Sequence, residues 1–173
     1  VRLSIETAEM PRTVTTRHVL NISAADYLDL RDDPEYSQYK ASLQKQEIRV
    51  PRSPDVNTDA EGNEVRVRSV ELHFSESPVP PFLRGLVNSL MGDELYLSVD
   101  ERNYARRCSF HHPTTLTHRF PKAVGEVLSI ESTEWVVALT PTQCVFHSRH
   151  EVACTAWAMA GAIEQAVENG IQD

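Results

Sequence analysis

Residues 142–173 read TQCVFHSRHEVACTAWAMAGAIEQAVENGIQD, and the way this stretch divides decides the fold. Its first part, 142–153, predicts a strand. Beyond Cys154 and Thr155 the period changes. Ala156, Met159, Ala160, Ile163, Ala166, Val167, Gly170 and Ile171 recur at helical spacing, with Glu164, Gln165, Glu168 and Asn169 on the other side. That is the pattern of an amphipathic helix. A long strand feeding one terminal helix predicts a helix laid across a curved antiparallel sheet. Either core or a ligand fills the space between them.

Working back from this unit, residues 13–22 are rich in β-branched side chains and predict the first strand. Ser23-Ala24-Ala25-Asp26 follows as a capping box, so a short helix starts there, with Tyr27, Leu28 and Leu30 on its buried side. Asp33-Pro34 restarts the pattern for a second short helix to residue 44, carrying Tyr36, Tyr39 and Leu43 at spacings of three and four. Strands are expected at 46–53, 64–75, 94–104 and 106–115. The turn formers of 54–63 predict a loop, and 117–123 a connection. Residues 124–139 are strand material with a bend at Glu131-Ser132-Thr133-Glu134, and Thr140-Pro141-Thr142 turns into the last strand. Within 64–75 the apolar side switches midway, as in a strand crossing from core edge to rim or one with a bulge. The segment 78–92 reads as a Pro- and Gly-bounded insertion holding a short amphipathic helix, either a lid or a crossover helix packed on the core. The fold class is therefore α+β: a meander sheet of six to seven strands, two short helices after the first strand, and one long terminal helix. The domain is 13–173, preceded by an arm at 1–12.

Composition bounds the function. The 173 residues are 40% hydrophobic and 24% charged, enough for one globular domain. With 17 Lys and Arg against 25 Asp and Glu, the net charge of -8 argues against nucleic-acid binding, which needs a basic excess. The longest apolar run, 135–139, is far short of the roughly 20 residues of a membrane-spanning helix, so membrane contact would be transient. Three cysteines make no disulfide framework and read as reduced thiols. Together with a start at Val1, they predict an intracellular or organellar protein that has lost a transit peptide.

Few residues announce chemistry. No nucleophile elbow, phosphate-binding glycine loop, dinucleotide fingerprint or zincin motif is present. Cys144, His147, His150 and Cys154 are spaced like metal ligands, but in a strand Cys144 and His150 stand about 20 Å apart and His147 faces the other way. No metal and no cofactor is expected. His111 and His112, with Tyr104 and His118 on neighbouring strands, offer polar contacts inside a cavity; surface histidines near Pro113 are the plainer reading. Arg102, Arg106 and Arg107 are expected to pair with Asp100, Glu101 and Glu94. Asn21-Ile22-Ser23 matches a glycosylation sequon, yet Ser23 is better explained as a cap.

The order of elements resembles the START-like, or helix-grip, superfamily, which includes START lipid-transfer domains, the birch-pollen-allergen family and polyketide cyclase-like proteins. The resemblance covers residues 13–172, and Gly161-Ala162-Ile163-Glu164-Gln165-Ala166-Val167 is similar to a pattern frequent in the terminal helix of that superfamily. It carries no catalytic residue across. It implies a cavity beneath the terminal helix for a lipid or other hydrophobic molecule. Val70, Leu72, Phe74, Leu95, Leu97, Phe110, Val127, Ile130, Phe146, Trp157, Ala160 and Ile163 are the expected lining. Small residues on the helix either permit close packing or leave ligand volume. The leading expectation is non-enzymatic binding or transfer of such a molecule. An accessory subunit of a larger assembly is the alternative, and a cyclase- or dehydratase-like enzyme the third reading.

Overall fold

The structure, a computed structural model, describes residues 12–43, 45–49, 54–74, 96–120, 125 and 128–154. In chain order they form β1 (Arg12–Leu20), α1 (Ala24–Asp32), α2 (Pro34–Leu43), β2 (Gln46–Arg49), β3 (Asp55–Thr58), β4 (Glu64–Phe74), β5 (Tyr96–Tyr104), β6 (Thr114–Arg119), β7 (Leu128–Thr140) and β8 (Gln143–Cys154). The strands make one sheet in the order β1-β8-β7-β6-β5-β4-β2, with β3 also paired to β4. Every pairing is antiparallel. The α+β class and the large antiparallel sheet agree with the sequence reading. The terminal helix and the 78–92 insertion lie outside the described residues, as does the arm before Arg12.

Both short helices form where the capping chemistry places them. Ser23 Oγ accepts from the Asp26 amide at 3.0 Å and donates to Asp26 Oδ2 at 2.7 Å. The Asp33 carboxylate accepts from the Glu35 amide at 2.8 Å to start α2. Tyr27 and Leu28 of α1 pack with Leu20, Val136, Cys144 and Phe146, and the Tyr27 and Phe146 rings lie 5.8 Å apart. Along α2 the outcome differs. Tyr36, Tyr39 and Leu43 are all exposed, and Ala41 is the buried position.

Side chains alternate along a strand, so register fixes which residues share the face that α1 covers. Phe146 pairs with Val136, and successive pairs carry this inner face across the sheet from β8 to β4. One apolar cluster on it is Val70, Leu97 and Val99 with Ile48, Leu72, Phe74, Leu116 and Phe120. The cluster beneath α1 lies at the other end of the strands.

Several expected boundaries move. The loop 54–63 contains β3, an exposed strand held on β4 by its backbone. The turn itself is confined to 59–63, where Asp59 Oδ1 accepts from the Glu61 and Asn63 amides and Gly62 takes φ +83°. The strand expected at 106–115 is instead a loop with two isolated bridges and Arg106 at φ 57°. The segment 114–119, half of it read as a connection, is β6. No bend interrupts β7: Glu131 to Glu134 pair with β6 on one side and β8 on the other. In β4, pairing with β5 is unbroken from Val65 to His73. The apolar switch is therefore a change of buried face, with Val65 on the outer side and Val70 on the inner.

Candidate functional site

Between the two apolar clusters the inner face is polar. Register places Ser132 beside His150 and Leu116, and Glu134 beside Ser148 and Thr114. Leu116 in turn pairs with Glu101, and Glu101 with Arg68. Arg102 pairs with Thr115, so Asn103 stands next to Thr114 on the same side. The result is a belt two residues deep along the strands that crosses β1, β8, β7, β6, β5 and β4.

One half of the belt is a chain of hydrogen bonds. Ser132 Oγ lies 2.7 Å from His150 Nδ1, His150 Nε2 lies 2.9 Å from Ser148 Oγ, and Ser148 Oγ lies 2.6 Å from Thr16 Oγ1. A neutral imidazole donates through one nitrogen and accepts through the other, so this chain has a direction. Burial, reinforced by nearby His118, keeps the His150 pKa below its ordinary value. His118 Nδ1 lies 3.2 Å from the Ile130 carbonyl oxygen. A carbonyl only accepts, so Nδ1 bears the proton, and in the neutral ring Nε2 is left as an acceptor. Burial lowers the His118 pKa as well, outweighing that hydrogen bond.

The other half is charged. Arg68 holds Glu101 Oε2 through Nε at 2.7 Å and a terminal nitrogen at 2.6 Å. Asn103 Nδ2 donates to Glu101 Oε1 at 2.7 Å. That bond orients the amide, and Asn103 Oδ1, in a residue only 6% exposed, meets no hydrogen-bond partner. The half-buried Glu134 carboxyl has no hydrogen-bond or ion-pair partner among the described residues. Burial pushes its pKa up; Glu101 adds to the rise, while Lys40 and Arg31 oppose it. Next to it, Cys108 Sγ donates to the Glu134 carbonyl oxygen at 3.5 Å and contacts Thr114 Oγ1 at 3.7 Å.

The expected lining residues divide into three sets. Val70, Leu72, Phe74 and Leu97 form the apolar cluster beside the belt, Ile130 continues it, and Phe146 packs under α1. Leu95, Val127, Trp157, Ala160 and Ile163 lie outside the described residues. Phe110 is a correction: it is 67% exposed on the 105–113 loop, with its ring edge against Trp135. The three expected polar contacts are corrected likewise. Tyr104 faces outward beside Val65 and meets His112 edge-on at 5.0 Å. His111 is exposed, and His112 Nε2 lies 3.7 Å from Glu61. Tyr104 points outward by alternation at the end of β5, and the other placements follow from residues 105–113 being a loop at the sheet end rather than a strand across it.

His147 is on the outer face as alternation requires, stacked on Trp135 at 5.1 Å. Nothing in the sequence reading assigned Arg68, Glu101, Asn103, Thr114, Ser132, Glu134, Ser148 or His150 to a ligand site. The available signal was parity, because each shares its face with Val70, Val99, Ile130, Val136 or Val152.

Neither a family model nor a curated protein matches the sequence. Solved structures do match. The Zhui aromatase/cyclase from a Streptomyces species aligns over 92% of this chain and 90% of its own, with a TM-score of 0.53 at 10% identity. The fold is START-like, the helix-grip fold. Similar structures at lower scores are norcoclaurine synthase from Thalictrum flavum (TM-score 0.48, 12% identity, 94% and 87% of the two chains) and a START superfamily protein from Mycobacterium smegmatis (0.40, 11%, 92% and 97%). Identities this low carry the fold alone. No helix among the described residues is long and apolar enough to cross a membrane.

Proposed function

We propose that the inner face of this START-like sheet binds a hydrophobic small molecule or lipid that carries a polar end. The observation that supports it is the junction between the Val70–Leu97–Val99 cluster and a polar belt holding a buried acceptor without a partner, Asn103 Oδ1. Buried polar groups are normally paired, and a bound ligand supplies the missing partner. Hydrocarbon resting on the apolar cluster contributes about 25 cal/mol per Å² removed from water. Binding and transfer need no catalytic step, so the proposed role is that of a non-enzymatic carrier. Buried free Cys108 and Cys144 support a reducing, intracellular or organellar location.

The test is titration with a polarity-sensitive apolar fluorophore. Saturable binding at one site is expected, weakened by Val70→Trp and unchanged by Val67→Trp on the outer face. Absence of saturation, or equal loss in both variants, refutes the proposal.

The second reading, an accessory subunit of a larger assembly, is favoured by the outer face, where Val19, Val137, Leu139 and Phe110 are all exposed. Joint Val137→Lys and Leu139→Lys substitutions would then release the chain from the assembly in native cell extracts. Unchanged co-fractionation counts against that role.

A further inference from the structure

We propose that the polar end of the ligand is an alcohol hydroxyl, which donates its hydrogen bond to Asn103 Oδ1. The inference rests on the inner face being the binding surface and goes on to name what that surface selects.

Two neighbouring side chains fix the direction of the acceptor. Arg68 closes on Glu101 Oε2 through Nε at 2.7 Å and a terminal nitrogen at 2.6 Å. Glu101 Oε1 is left for another donor, and Asn103 Nδ2 supplies it at 2.7 Å. Turning the Asn103 amide over would set Oδ1 against that carboxylate, two acceptors face to face with no proton between them. Arg68 and Glu101 therefore impose the orientation, and Oδ1 points away from both. Asn103 is 6% exposed and Oδ1 has no hydrogen-bond partner. A buried acceptor in this state weakens the fold, and a donor that reaches it meets no competition from water.

The donors around Oδ1 are engaged elsewhere. Arg66, opposite Asn103 on β4, is held by Glu64 and Asp32. Arg31 on α1 is turned to Asp32 and to the carbonyl oxygens of Tyr104 and Arg107. On the other side, the Thr114 hydroxyl contacts Cys108 Sγ at 3.7 Å. The missing donor is left to a ligand.

The apolar surface leads to this atom. Val99, Glu101 and Asn103 alternate along β5 and share the inner face. Val99 belongs to the cluster with Val70 and Leu97, and Leu116, opposite Glu101, packs against that cluster. Four residues of strand put Asn103 about 13 Å from Val99. A hydrocarbon body on the cluster thus points its end at Oδ1.

The same surroundings discriminate between head groups. A ketone, ether or ester offers only acceptors, so Oδ1 stays unpaired beside it. A carboxylate also lacks a donor, and the nearby guanidiniums are already taken by Glu101, Glu64 and Asp32. An ammonium donates but brings a buried charge between Arg66 and Arg68. The inner-face carboxyl without a partner, Glu134, is two strands away across Thr114, about 10 Å. A neutral hydroxyl is the donor that fits.

The experiment is competition against the bound fluorophore by decanol and by its isomer methyl nonyl ether, which has the same atoms and no donor. Decanol should compete about tenfold better, the effect of one hydrogen bond to an acceptor otherwise unmade. Asn103→Leu also removes the bond to Glu101, so the two probes are compared within each variant, and their ratio should fall to about one. Glu101→Gln gives a readout that mere structural damage would not. Gln presents its carbonyl to Arg68 and its amide nitrogen to Asn103, whose own amide then turns over and aims Nδ2 at the ligand. Both probes can accept from Nδ2, so the ether should gain affinity and decanol lose its advantage. An ether that weakens in Glu101→Gln overturns the orienting role of Glu101. Fluorophore binding with equal competition by the two isomers, or a decanol preference that survives Asn103→Leu, overturns this inference alone. Decylamine competing better than decanol overturns the choice of hydroxyl. No fluorophore binding at all overturns the binding surface as well.

Discussion

Replacing Glu134 by Gln should stabilise the protein at alkaline pH and do nothing in acid. The carboxyl sits on the inner face of β7 without a hydrogen-bond or ion-pair partner among the described residues, and burial holds its pKa above the ordinary value. A group with a raised folded pKa contributes stability that is complete below the free glutamate value, about pH 4.3, and lost as pH rises through the folded value. Gln is nearly isosteric and does not titrate, so no cavity opens and no charge is buried. An unsatisfied buried polar group costs about 1–3 kcal/mol; Arg31 and Lys40 offset part of that for the ionised carboxylate, which places the gain at about 2 kcal/mol. For a chain of this length that is roughly 4–8 °C in Tm. Thermal unfolding followed by circular dichroism at pH 4, 6 and 8 measures it. Either of two results would refute the reasoning: equal shifts at all three values mean that ionising Glu134 carries no cost, and a less stable variant at pH 8 means that Glu134 is paired when charged.

Three further outcomes follow from the same geometry. Burial lowers the pKa of His118 and His150, so their contribution is complete above about pH 6.5 and is lost as pH falls toward the lowered folded values. In a Glu134→Gln background Tm should therefore fall from pH 6.5 to 5, and His118→Gln should shallow that slope. Arg68→Met leaves Glu101, only 8% exposed, with Asn103 as its remaining partner. The urea midpoint should drop by the equivalent of about 2 kcal/mol, less than for a fully buried pair because the Arg68 side chain is 32% exposed. Ser23→Ala removes the α1 cap and should lower stability by about 1 kcal/mol, most of which Ser23→Asp restores.

The architecture was legible because it rests on local rules. β-Branched runs made β1, the capping box made α1, and Pro34 opened α2, each within a residue or two of its expected position. The site was hidden by those rules. Glu131-Ser132-Thr133-Glu134 reads as a turn, since polar residues in succession normally mark a chain leaving the core. In β7 these residues pair on both sides, and Ser132 is almost wholly buried. Local propensity had no means of showing that Arg68, Glu101, Ser148 and His150 would arrive on neighbouring strands to receive them. In the opposite sense, 106–115 looked extended because nothing local revealed Arg106 in a left-handed conformation or the two isolated bridges around it. That one misreading moved Phe110, His111 and His112 from the inner face to the sheet's end and outer side, while Tyr104 points outward by alternation within β5.

The arrangement also bears on why a polar belt crosses the middle of the sheet at all. Each buried polar group there must be paired or it weakens the fold. Most are: Ser132, His150, Ser148 and Thr16 satisfy one another, as do Arg68, Glu101 and the Asn103 amide nitrogen. Packing alone would be better served by continuing the Val70–Val99 surface through Ile130 to Val136. The exception is Asn103 Oδ1, on the inner-face position beside Thr114. The apolar clusters on either side supply stability without engaging that atom, which leaves its hydrogen-bonding capacity for a ligand. Asn103→Leu removes it together with the amide that donates to Glu101 Oε1, so that variant should lower stability by about 1–3 kcal/mol in urea unfolding and weaken ligand binding as well.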